Sequence, residues 1–184
     1  GLDDVINSDL KIENLWMPKI QTNTKTFEDV LDAVKNKGLK VTAPNKGDSF
    51  EIGKAKCEVM TDSILNKDNL NLSSIVIRLE FENNSFLFMG DAETANEKTR
   101  TWMKTDVLKV GHHGSNTSSS EDFLKQINPT YAVIMAGKNN SYGLPKQKIL
   151  DRLTKIGAKV YRTDEEGTIM MISNGNNIEV KENT

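Results

Sequence analysis

The sequence predicts an α/β fold, and three features carry that prediction. Residues 86–89 (Phe-Leu-Phe-Met) and 107–110 (Val-Leu-Lys-Val) are short apolar runs that stop at Gly90-Asp91 and at Gly111-His112-His113. Residues 93–102 between them are helical in composition, so the stretch reads as strand, helix, strand, a parallel unit whose strand ends share one edge. Elsewhere the two periodicities alternate: Phe27, Val30, Leu31 and Val34 recur at helix spacing, whereas Ile75, Ile77, Leu79 and Phe81 alternate with Val76, Arg78 and Glu80 as in a strand.

From the N-terminal end, residues 2–6 read as a short helix with Leu2, Val5 and Ile6 on one face, and 12–17 as a strand closed by Pro18. Thr26 is the expected cap of the next helix, with Asp29 three residues on and Gly38 ending it. Residues 39–42 form a strand expected beside 12–17. Ser49–Ile52 and 56–60 flank Gly53 as a hairpin, and 62–72 is a polar loop expected near the site edge. Strand 74–81 turns at Asn83-Asn84 into strand 86–89, which delivers Asp91. Ser120 caps a helix over Glu121–Ile127 that Asn128-Pro129 stops before strand 131–135. Pro145 then opens a helix with Ile149, Leu153 and Ile156 on one face, and Gly157 closes it before strand 159–161. Residues 167–172 and 178–180 finish as a hairpin around Asn174-Gly175.

A chain of 184 residues, 36% hydrophobic and 27% charged, is long enough for one domain with its own core, and no repeat or linker asks for a second. Its net charge of −2 and pI near 5.8 argue against a strongly basic nucleic-acid-binding surface, although Lys98, Arg100, Lys104 and Lys109 allow a local patch. Cys57 is the single cysteine, which excludes an intrachain disulfide and a cysteine metal cluster; it reads as a small buried thiol in a strand. No apolar run approaches the roughly 18 residues of a membrane span, and the N-terminal residues lack a basic-then-apolar layout.

The chemistry gathers at the two strand ends. A carboxylate at Asp91 and imidazoles at His112 and His113, brought to one edge, suit a divalent metal such as zinc or manganese. Gly90, Gly111 and Gly114 let the backbone turn there. A Gly-Asp pair alone is an ordinary turn and a His-His pair alone an ordinary loop. Their spacing across one strand-helix-strand unit, with the Ser/Thr/Asn loop 115–120 next in the chain, makes the pattern specific. The chain holds only two histidines, both here, so a closed site of three protein ligands requires more than the histidines supply.

At Gly90-Asp-Ala and Leu108-Lys-Val-Gly-His-His-Gly-Ser the sequence resembles the metallo-β-lactamase fold family. Within it, the sequence is similar to the extracytoplasmic domain of bacterial DNA-uptake competence channels (the ComEC type) and its stand-alone relatives. The likeness runs on through Tyr131-Ala-Val-Ile and Asn140-Ser-Tyr-Gly to Tyr161-Arg-Thr-Asp-Glu-Glu-Gly-Thr, nearly the whole chain. It implies an αββα sandwich, two mixed sheets packed face to face with helices outside, and one or two metals at one edge. The family's first metal motif, His-x-His-x-Asp-His, is absent. Gly1-Leu-Asp-Asp-Val-Ile resembles the segment immediately C-terminal to that motif, so the expectation is one domain over residues 1–184 that lacks its first strands. Relatives also commonly place a metal-binding histidine before a proline where this chain has Leu144-Pro145. The resemblance further makes Asn71, ahead of the 74–81 strand, a candidate to approach the metal pocket, with a loop-capping role as the alternative.

The resemblance implies metal-assisted hydrolysis, in which bound zinc or manganese brings the pKa of water to about 7 for attack on a phosphodiester of DNA or a related phosphoester. It makes Asp91 a metal ligand, suited to bridge two ions, and one of His112 and His113 a further ligand, with His112 favoured. The other histidine would support that ligand or meet the leaving oxygen, and Ser115 would bind a phosphate. All three of Asp91, His112 and His113 are thus implied catalytic and metal residues, in an extracytoplasmic or secreted setting. With the first motif absent, this chain itself is expected to be poorly metallated and inactive. A metal-free scaffold, supported by Leu144, and an acyl or lactam hydrolase are the alternative readings. Missing first strands also predict an exposed sheet edge and self-association through it.

Overall fold

The computed structural model describes residues 1–181. A seven-stranded mixed sheet organises it, in the order β3 (Ser49–Ile52), β4 (Ala55–Val59), β5 (Ile77–Phe81), β6 (Asn84–Phe88), β7 (Val107–Lys109), β8 (Tyr131–Ile134) and β9 (Lys159–Arg162). Strands β3 to β6 pair antiparallel and β6 to β9 parallel. The antiparallel half is made of hairpins. The parallel half is made of crossovers, two of which carry the helices α4 (Glu121–Ile127) and α5 (Gln147–Lys155). Four further strands stand in two pairs: β1 (Leu15–Trp16) beside β2 (Val41–Thr42), and β10 (Met170–Ser173) with β11 (Ile178–Lys181). One central mixed sheet with helices and two separate short strand pairs agrees with the fold that the sequence resemblance implies, although the described residues hold one large sheet where two were expected.

The central strands sit where they do because of their apolar content. Leu87, Leu108, Ala132 and Ile134 are fully buried and meet Phe123 and Leu153 from the helices in one core. Trp102 joins it, edge-on to Phe123 with ring centroids 5.1 Å apart. A second, smaller core forms where Ile6 of α1 (Leu2–Asn7) meets Val30, Ala33 and Val34 of α2 (Lys25–Asn36). The last ribbon is tied to the β5–β6 turn: Asn83 N–H donates to the Gly175 carbonyl at 2.9 Å, and Ser173 Oγ donates to Asn84 Oδ1 at 2.6 Å.

Most predicted elements are present, with three corrections. The cap of α2 is Thr24, whose Oγ1 accepts from Phe27 N–H at 3.3 Å, so the helix starts before Thr26. The predicted helix over 93–102 is only α3 (Thr94–Glu97). The cause lies at Trp102: its ring is buried, its Nε1 donates to the Glu97 carbonyl at 2.6 Å and its backbone N–H to Gln126 Oε1 at 2.8 Å. With those bonds the chain turns at residues 98–100 and runs without regular structure over 101–105 to β7. The strand expected over 12–17 shortens to two residues, paired with β2 as anticipated.

Candidate metal centre

Two backbone loops leave the same edge of the sheet side by side. Phe88, the last residue of β6, is in register with Lys109, the last of β7, and Asp91 and His112 lie beyond them at equal offsets. His112 N–H donates to the Gly90 carbonyl at 3.1 Å, joining the loops. Lys109 Nζ strengthens the junction, donating to the carbonyls of Gly90 (2.8 Å) and Val110 (3.2 Å). Burial lowers the Lys109 pKa from its ordinary value, and the Asp91 carboxylate opposes that shift. From below, Ser74 Oγ accepts the Asp91 N–H at 3.1 Å.

The histidines sit in an unusual backbone. His112 (φ 46°) and His113 (φ 52°) are both left-handed, a conformation that costs a non-glycine residue roughly 1–2 kcal/mol. Such strain persists only where surrounding contacts enforce it. Here Ser115 N–H donates to the His112 carbonyl at 2.8 Å, and buried Ser118 Oγ donates to the Gly111 carbonyl at 2.8 Å. Gly114 (φ +79°) completes the turn; a Cβ there would fall 2.6 Å from Pro145 Cβ, and Lys146 N–H donates to its carbonyl at 3.0 Å. The loop carrying Leu144 and Pro145 is thereby pressed onto the histidine loop.

Each imidazole is held at Nδ1. His113 Nδ1 lies 2.5 Å from the Met135 carbonyl, which only accepts, so Nδ1 carries the proton. Its Nε2 then faces Asp91 Oδ1 at 3.2 Å. His112 takes a different partner: its Nδ1 lies 3.2 Å from Glu93 Oε1 and 3.1 Å from Thr117 Oγ1, and its Nε2 is 3.3 Å from Asn71 Nδ2. The structure therefore makes two carboxylate–imidazole pairs, Asp91 with His113 and Glu93 with His112. It is His113, and not the favoured His112, that stands beside Asp91. The two rings are 6.4 Å apart between centroids.

Ser115 turns toward its own loop, with Oγ 3.2 Å from Thr117 Oγ1. The rest of the hydroxyl-rich loop is an anchor rather than an open cradle: Ser118 and Ser119 are buried, and Glu97 accepts from the backbone N–H of Ser119 (2.5 Å) and Ser120 (2.9 Å). Sequence reasoning offered Asn71 as a candidate for the pocket or as a loop cap, and it passed over Glu93, Glu97 and Thr117. The signal available for Glu93 was its place two residues beyond Asp91; nothing local marked Glu97.

Whether these side chains fit a metal can be judged from the donors. With His113 neutral and its proton on Nδ1, lone pairs on Asp91 Oδ1 and His113 Nε2 face each other at 3.2 Å, a gap that either a proton or a metal ion would bridge. Two ligands each about 2.0–2.1 Å from one tetrahedral ion stand about 3.3 Å apart. This pair fits as two ligands. Beyond it the fit fails: among the described residues no group of three His, Cys, Asp or Glu is placed to hold a metal ion. A catalytic zinc keeps three protein ligands, so the described residues do not make a complete centre.

Fold and site together define a metallo-β-lactamase-type domain. The chain belongs to the metallo-beta-lactamase superfamily, whose family model matches residues 14–138. It is 35% identical to ComE operon protein 3 of Bacillus subtilis over 173 residues, 92% of this chain and 22% of that protein. It is 42% identical to Recombination protein 2 of Haemophilus influenzae over 101 residues, 54% of this chain and 13% of that one. The Competence protein ComA of Neisseria gonorrhoeae is 36% identical over 104 residues, 54% of this chain and 15% of that one. The chain thus spans about a fifth or less of the length of these curated relatives. Among solved structures, a mutant of the CmlA beta-hydroxylase superposes with a TM-score of 0.53 at 12% identity, covering 81% of this chain and 38% of that one, a likeness of fold alone. No helix among the described residues is long and apolar enough to cross a membrane.

Proposed function

We propose that this chain is the hydrolase-type domain of a competence protein, acting on phosphodiester bonds of DNA or a related phosphoester in an extracytoplasmic setting. Asp91 and His113 would be its shared pair of zinc or manganese donors. The observation that carries the reading is that pair: a carboxylate and a tautomer-fixed imidazole facing each other at 3.2 Å at the end of two parallel strands. The likeness to ComE operon protein 3 and Competence protein ComA supports the competence setting. Because the described residues supply two ligands of the three a catalytic zinc keeps, they are inactive on their own in this reading. In this reading His112 lies at the same edge, and Ser115 would have to turn its Oγ away from Thr117 to bind a phosphate.

The test is elemental analysis and zinc and manganese titration of this chain, together with hydrolysis of bis(p-nitrophenyl) phosphate. Weak, dialysable metal and no turnover are expected from this chain, and tight metal with turnover from one that also carries a His-x-His-x-Asp-His segment. Robust stoichiometric zinc and phosphodiesterase activity in this chain alone would overturn the incomplete-site reading. Leu144, which precedes the Pro145 that packs on Gly114 and stands where the family resemblance implies a donor, favours a second reading, a scaffold that has given up its metals. Absence of metal from both chains would select it. Turnover of a chromogenic β-lactam in the same assay would point instead to the acyl or lactam chemistry.

A further inference from the structure

Glu93 has no part in the proposed metal pair, yet it is among the most enclosed acids of the edge, its side chain 13% exposed. Its Oε2 accepts from Asn69 Nδ2 at 2.9 Å and its Oε1 from Thr117 Oγ1 at 3.0 Å. Oε1 also lies 3.2 Å from His112 Nδ1. An ionised carboxylate only accepts. Thr117 has one hydroxyl proton and directs it at Glu93, so its oxygen, 3.1 Å from Nδ1, offers the ring lone pairs alone. Both atoms that face Nδ1 are acceptors. Nδ1 must therefore carry the proton, and the neutral ring keeps a bare lone pair on Nε2. The far side agrees: Asn71 Nδ2, a donor, sits 3.3 Å from that nitrogen.

The geometry points to Glu93 as the positioning residue of His112, fixing it in the Nδ1–H tautomer and aiming its Nε2 lone pair into the edge. The carboxylate does for His112 what the Met135 carbonyl does for His113. Two independent locks give the edge two imidazoles with the same tautomer, the form in which a histidine ligates through Nε2. Without the lock the proton would distribute between the two ring nitrogens. The functional meaning of this arrangement rests on the metal-site reading; the tautomer assignment does not.

The test is long-range proton–nitrogen correlation on the chain labelled with imidazole nitrogen-15, at a pH about two units above the ordinary histidine value of about 6.5. Both histidines of the wild-type chain are expected to show the Nδ1–H pattern. Glu93→Ala should turn His112 into a mixture of tautomers and leave His113 unchanged, its pattern serving as the check that the loop is folded. Glu93→Gln, whose amide oxygen still accepts, should keep the wild-type pattern at His112. A wild-type His112 with its proton on Nε2, or a His112 indifferent to Glu93→Ala, overturns the proposal. If Glu93→Ala disturbs His113 as well, the wild-type and Glu93→Gln patterns decide. Zinc titration of the same samples separates the two claims: tautomers as stated without zinc binding would sink the metal reading and leave Glu93 its role, and zinc binding with an indifferent His112 would do the reverse.

Discussion

Asp91 Oδ1 and His113 Nε2 face each other across 3.2 Å while His113 Nδ1 is committed to the Met135 carbonyl. Two lone pairs in that position repel unless a cation lies between them, whether a proton or a metal. The relationship is produced by the parallel register of β6 with β7, which brings a residue beyond each strand to one place.

Metal binding should therefore depend on this pair and be limited by the missing third donor. Calorimetric zinc titration is expected to show weak binding that Asp91→Asn or His113→Ala abolishes. Leu144→His, on the loop packed against Gly114, should tighten it by at least about tenfold, or about 1.4 kcal/mol. An affinity that ignores both single substitutions would place the ion elsewhere.

Glu97 gives a prediction about the loop rather than the metal. Its carboxylate, 3% exposed, accepts the backbone N–H groups of Ser119 and Ser120 and so pins the hydroxyl-rich loop to α3. Hydrogen bonds to a charged group contribute roughly 1.5–3 kcal/mol each, and their loss leaves buried donors unpaired. Glu97→Ala should lower the unfolding free energy by about 3 kcal/mol, read from urea denaturation, and speed amide exchange at Ser119 and Ser120. Glu97→Gln should cost less, since its side-chain oxygen still accepts.

How much of this was legible in the sequence depends on whether the cause was local. The hairpin of β3 and β4, the Ser120 cap and the delivery of Asp91 and the histidines to one edge come from periodicity, turn residues and strand ends, all written in adjacent positions. The helix expected over 93–102 failed because Trp102 bonds to Glu97 and Gln126, and Gln126 is distant in sequence. Which histidine meets Asp91 was equally hidden. Both residues of the pair share a loop, and only the Met135 carbonyl of the neighbouring strand's end and the Glu93 carboxylate sort them.

Self-association is the expected behaviour of the sheet edges. The central sheet ends at β3 on one side and β9 on the other. Lys159 and Arg162 place charge on β9, which discourages pairing, whereas β3 carries one charged residue, Glu51, beside Ile52 at 60% exposure. Pairing through β3 should appear as a molar mass that rises with concentration in light scattering, and Ile52→Lys should return a monomer. A constant monomer mass for the wild-type chain would reject it.

Cys57 makes the alkaline limb of stability a test of core burial. The thiol, 2% exposed on β4, is shielded from water, and burial raises its pKa above the ordinary 9.0. The unfolded chain therefore releases this proton at a lower pH than the folded one. The contribution of Cys57 to stability is complete below pH 9.0 and is lost as pH climbs from there through the raised folded value. Lys109 acts in the opposite sense: its folded pKa is lowered from 10.5, so between the lowered value and 10.5 the unfolded chain holds more protons and stability rises with pH. Separating the two requires a difference measurement. Unfolding free energies of Cys57→Ala from urea denaturation, measured from about pH 8 upward, should start lower, by about 1 kcal/mol for the lost packing, and then decline less steeply above pH 9.0 than those of the wild-type chain. Parallel curves would mean that the thiol reaches solvent in the folded state, and rapid labelling of Cys57 by a thiol reagent without denaturant would then be seen as well.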